Sequence, residues 1–142
     1  MKKFARILAL CLAALLLTVS LVACAVPAKD PDKALAALEE ADYIVGKDTR
    51  ILPAAFALAG YKLDAVVSGS TLVEDKEGDL MIEHVTIYYF ADAENAKKAM
   101  EEVKKYADED KEESDEGTTW VAPKRVGNMI YYGTKAGVKA AK

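Results

Sequence analysis

Leu63-Asp64-Ala65-Val66-Val67-Ser68-Gly69-Ser70-Thr71-Leu72-Val73, then Glu74-Asp75-Lys76-Glu77-Gly78-Asp79, then Leu80-Met81-Ile82-Glu83-His84-Val85-Thr86-Ile87-Tyr88-Tyr89-Phe90 is the stretch that decides the fold. Two runs rich in β-branched and aromatic residues flank a polar turn containing glycine. That pattern predicts a β-hairpin. Alternation along the second run puts Val85, Ile87 and Tyr89 on one face, the better core candidate. Ile82, His84, Thr86, Tyr88 and Phe90 lie on the other.

Working outward, Asp92 caps a helix whose Ala96, Ala99, Met100, Val103 and Tyr106 fall at helical spacing. Residues 108–116, with seven acids and one lysine, read as a solvated loop. Residues 120–126 and 129–132 are expected strands around Gly127-Asn128, suited to a type II′ turn, with Pro123 marking an irregularity. Thr134 caps a short last helix that Gly137 weakens. Upstream, Asp30-Pro31 starts a helix with Ala34, Leu35, Leu38 and Ala41 on one face. A short strand follows at 43–45, then an alanine-rich helix over 49–59 with Pro53 in its first turn and Gly60 as its C-cap.

From Tyr43 the order is strand, helix, strand, strand, helix, strand, which resembles the split βαβ plan of ferredoxin-like folds. The expected class is α+β: an antiparallel sheet with helices on one face and extra N- and C-terminal helices.

The N-terminus has a different character. Lys2, Lys3 and Arg6 precede an apolar run over 7–23 that ends Leu21-Val22-Ala23-Cys24. A basic region, an apolar region and a small residue at the cut make a secretory signal. The final tetrapeptide resembles the lipobox of bacterial lipoproteins. The resemblance covers the first 24 residues. It implies cleavage between Ala23 and Cys24 and a diacylglyceryl (palmitate-type) group on the Cys24 thiol. Two acyl chains anchor a protein stably where one does so only marginally. The competing reading is an uncut membrane helix; both place the rest of the chain outside the cytoplasm. With Ala25 rather than Asp after the cysteine, the resemblance implies the outer membrane if the cell is an enteric Gram-negative one.

The expected organisation is therefore a signal peptide over 1–23, an acylated cysteine and short linker over 24–29, and one domain over 30–142. Removing the three basic residues of the signal leaves 16 basic and 23 acidic side chains, a net charge near −7. Such a charge disfavours nucleic acid and anionic lipid as partners of the domain. Of the two cysteines, Cys11 leaves with the signal and Cys24 takes lipid, so stability is expected from packing without a disulfide.

Catalytic and metal constellations are missing from the pattern. His84 is the only histidine, and zinc needs several His or Cys ligands. Ser68 and Ser70 sit in an expected strand rather than on a glycine-flanked elbow. Counted from Asp108, an EF-hand loop would need glycine at Glu113 and an acid at Thr119, so that motif fails. Tyrosines stand out instead. Tyr88-Tyr89 and Tyr131-Tyr132 are adjacent on strands, so each pair sends one ring to each face. If helices cover one face only, His84, Tyr88 and one of Tyr131 or Tyr132 form an aromatic patch on the open face. The expectation is a non-catalytic, membrane-tethered interaction or binding module for an envelope protein or small component, with no cofactor. Two alternatives are a small-molecule or metal-binding lipoprotein serving a transporter and an enzyme using unrecognised carboxylates.

Overall fold

The computed structural model describes residues 25–115 and 118–142. The expected signal segment with Ala23 and Cys24, and Glu116 of the acidic stretch, lie outside the described residues. Among those described, no helix is long and apolar enough to cross a membrane.

Helix α1 (Pro31–Glu40) begins as expected: the Asp30 carboxylate accepts the N–H groups of Asp32 at 2.9 Å and Lys33 at 3.1 Å, with Pro31 in the first turn. Strand β1 (Ile44–Asp48) runs on past Gly46. Asp48 ends it and starts α2 (Ile51–Leu58), accepting the N–H groups of Arg50, Ile51 and Leu52, each at 2.8 Å. These bonds hold the Asp48 carboxyl below the usual carboxylate range. Strands β2 (Leu63–Glu74) and β3 (Leu80–Phe90) pair through the hairpin that the alternation predicts.

Helix α3 (Ala93–Glu112) is capped by Asp92 but runs far beyond Tyr106, so most of the expected loop over 108–116 is helix. Ala96, Ala99, Val103 and Ala107 are all buried. One apolar stripe therefore continues into the acidic segment, whose charges occupy the outer side. Strands β4 (Trp120–Val126) and β5 (Met129–Thr134) turn at Gly127, whose φ of 60° suits the type II′ position. The register slips between Val121 and Lys124, around Pro123. Thr134 caps α4 (Lys135–Ala140), its hydroxyl accepting from Gly137 N–H at 3.2 Å.

The class is α+β, with a five-stranded antiparallel sheet and helices packed on it. The strand order, β1-β2-β3-β5-β4, departs from the ferredoxin-like plan. That plan needs β1 beside β3; here β1 pairs β2 and β5 takes the other side of β3, every pair antiparallel. The long β2–β3 hairpin thus stays intact at the sheet's centre, and β1 extends the meander.

Helices also cover both faces rather than one. Helices α1 and α4 bury Ala34, Leu38 and Val138 against Val67, Val85, Ile87, Tyr89 and Tyr131. Helices α2 and α3 bury Phe56, Ala99 and Val103 against Val66, Tyr88, Phe90, Ile130 and Tyr132. Every residue of β5 is buried, as a central strand covered on both sides must be.

The expected linker is part of the fold. Ala28 N–H donates to the Ala141 carbonyl at 2.8 Å, and the Tyr89 hydroxyl donates to the Ala28 carbonyl at 2.7 Å. Ala25, Val26 and Ala28 pack on the core beneath α1 and α4.

Candidate functional site

The open aromatic patch does not exist. Tyr88 and Tyr132 share a face with His84, as the alternation requires, but α2 and α3 cover it, leaving them 2% and 1% exposed. Tyr131 is buried on the opposite face against α1 and α4. Their apolar bulk forms core because both faces of the central strands are needed to bury the two helix pairs.

Between α2 and α3 the cover is incomplete, and a cleft opens above the sheet. Two adjoining hollows, of about 290 Å³ and about 420 Å³, share Ser68, Thr86 and Asp110. The sheet supplies the floor: Ser68 pairs with Thr86 and Ser70 with His84 across β2 and β3, so these four point upward together. Leu52 of α2 lines one side, and Tyr106, Asp110 and Glu113 line the other. Exposed Ile44 and Ile82 form an apolar lip.

Beneath the cleft runs a hydroxyl relay. Tyr132 donates to Asp110 Oδ2 at 2.7 Å. That commits its one proton, so Tyr88 is the donor in the 3.4 Å contact between the two hydroxyls. Burial pushes the Tyr88 hydroxyl up to about 12 and that of Tyr132 higher still, with the Asp110 carboxylate adding to both. Both stay neutral near pH 7 and act as oriented dipoles, not as bases. His84 packs against Trp120 with ring centroids 5.0 Å apart and the rings tilted at 54°. Burial depresses its imidazole, with Asp110 and Glu83 pulling the other way, and its Nε2 is buried without a partner among the described residues. The lining thus holds hydroxyls, a neutral imidazole and carboxylates. Its one lysine, Lys47, is bound to Asp32 at 2.6 Å.

The sequence pattern points to His84, which is half-buried, and to Tyr88 with one of Tyr131 or Tyr132, which are buried rather than open; it gives no site role to Asp110, Thr86 or Tyr106. Asp110 falls in the expected loop over 108–116, and the structure makes it part of α3. The available clue was Ala107, which extends the helical spacing of Ala96, Ala99 and Val103 by one more turn.

Asp75, Glu77 and Asp79, at the β2–β3 turn, bring three carboxylates together. Asp75 Oδ1 already accepts the N–H groups of Glu77 and Asp79 at 2.8 and 2.9 Å. This is ordinary turn chemistry. No family model, curated protein or solved structure matches the chain.

Proposed function

We infer that the chain is a lipid-anchored, extracytoplasmic binding module that holds a small polar ligand in the α2–α3 cleft without transforming it. One observation carries the reading: a concave site with Ser68, Ser70 and Thr86 on its floor and Asp110 and Glu113 on its wall. Hydroxyls and carboxylates together suit a ligand bearing amine or hydroxyl groups and repel an anion. This favours a small ligand over a protein docked on a flat aromatic face, because that face is covered. The anchor comes from the lipobox resemblance at Cys24 and gives the domain its address.

The test has two arms. Thermal denaturation against diamines, quaternary ammonium compounds and neutral saccharides reads the cleft. A ligand at one hundred times its Kd adds about 2.7 kcal/mol to stability, and Ser68→Trp, which fills the floor, removes that gain. A panel without effect, or an effect that survives Ser68→Trp, rejects the cleft as the binding site. Palmitate labelling of wild type against Cys24→Ser reads the anchor; equal labelling rejects it.

A further inference from the structure

Helix α2 reads Ile51-Leu52-Pro53-Ala54-Ala55-Phe56-Ala57-Leu58 and contains no polar side chain. Leu52 and Phe56 turn inward onto the aromatic core. Ile51, Ala54, Ala55 and Leu58, spaced i, i+3, i+4 and i+7, make one outward stripe, with Ile51 79% and Leu58 93% exposed. A single exposed leucine is ordinary. A continuous uncharged helical stripe on a chain that is 30% charged is not.

The position of this stripe names its occupant. Helix α2 starts directly after Asp48, at the end of β1. Lys47, one residue earlier, binds Asp32 in the first turn of α1. Ala28 is bound to Tyr89 near the matching end of β3. The start of the described chain and the start of α2 therefore share one end of the sheet, on opposite faces of it, so a bilayer lying across that end can meet both. Pro27 is buried and Ala25 packs on the core, so no free linker separates this end from Cys24. Exposed Arg50 and Lys62 flank α2 on either side, where basic side chains reach headgroups while an apolar helix lies in the interface.

We propose that the outer stripe of α2 rests in the interfacial layer of the bilayer that holds the Cys24 lipid. It is a second membrane contact, which fixes the domain's orientation. The inference rests on the anchor reading and is independent of the cleft's ligand. The experiment uses the full acylated protein on vesicles of zwitterionic phosphatidylcholine. A polarity-sensitive fluorophore is attached through Ala54→Cys or, for comparison, through Lys98→Cys on the outer side of α3. The expected result is a blue shift at position 54 with strong quenching by a lipid-borne nitroxide, and neither effect at 98. Adding Ile51→Glu and Leu58→Glu, both at exposed positions, abolishes the quenching at 54 while the protein stays on the vesicles. A label at 54 that remains unquenched on acylated, vesicle-bound protein overturns the proposal and leaves the anchor standing. A protein that takes no palmitate and does not float with vesicles removes both.

Discussion

Substituting Gly137 by alanine sets two physical effects against each other, and the structure decides the sign. Gly137 lies inside α4. Helix propensity alone makes alanine better there by about 1 kcal/mol. The structure places α4 hard against β3. A Cβ at Gly137 would collide with the His84 carbonyl oxygen and come within 2.7 Å of its carbon. Gly133 meets the same segment from β5: a Cβ there would lie 2.7 Å from the Val85 Cα, at a φ of 145° that itself calls for glycine. The obstacle is main chain in a central strand, so no side-chain rotation relieves it, and overpacking of this kind costs about 1–3 kcal/mol. Offset by that propensity gain, the expected net effect is a loss of about 1 kcal/mol, within a range of about 0–2. An unfolding entropy of about 2.1 cal/mol/K per residue turns the central value into a Tm lower by about 4 °C for a domain this size. Thermal unfolding followed by far-ultraviolet circular dichroism reads it directly. Because the collision is with backbone, combining the change with His84→Ala gives no rescue. A raised Tm for Gly137→Ala would show that α4 packs more loosely than described.

Other outcomes follow from the same contacts. Tyr132→Phe removes the hydroxyl bonded to Asp110 and Tyr88 and should cost about 1 kcal/mol in urea denaturation; an unchanged midpoint would mean the relay adds nothing. Phe56→Ala empties the ring that meets Tyr61, Tyr88, Phe90 and Tyr106 and should cost about 3–5 kcal/mol, against the near-neutral result expected if α2 were peripheral. His84, depressed by burial, binds fewer protons folded than unfolded. Its contribution is therefore complete above its usual value and is lost as pH falls through that value toward the folded one. His84→Gln should flatten this part of the stability–pH curve, and parallel curves would refute it. Asp48, held low by three N–H groups, stabilises above the usual carboxylate range and loses that advantage on acidification. The margin of wild type over Asp48→Asn should accordingly narrow below about pH 4, and a constant margin would argue against a charge-assisted cap.

Local chemistry was legible along the chain. Asp30, Asp92 and Thr134 cap helices where their positions imply, the hairpin pairs along the expected runs, and Gly127 makes the tight turn. These features depend on neighbours within a few residues, so short-range pattern suffices. Alternation also put His84 and Tyr88 on one face and sent Tyr131 and Tyr132 to opposite faces, leaving open which of those two joins them; the pairing of Thr86 with Tyr132 decides it. Alternation could not say what covers that face, because covering is a contact between elements far apart in the chain. A clue was present in Ile87-Tyr88-Tyr89-Phe90 and Met129-Ile130-Tyr131-Tyr132, apolar or aromatic at every position, as strands buried on both sides are.

Residue types and spacing alone determined the caps at Asp30, Asp92 and Thr134, the β2–β3 hairpin, the α+β class and the expectation of a lipid on Cys24. Tertiary structure alone decided the order of the strands, the burial of the tyrosines, the cleft that brings Asp110 over Ser68 and Thr86, and the outward face of α2. The physical reason is range. Capping and pleating are settled between residues a turn or a pleat apart. Which apolar surface meets which depends on the summed burial of the four described helices against one sheet, and no local window contains that sum.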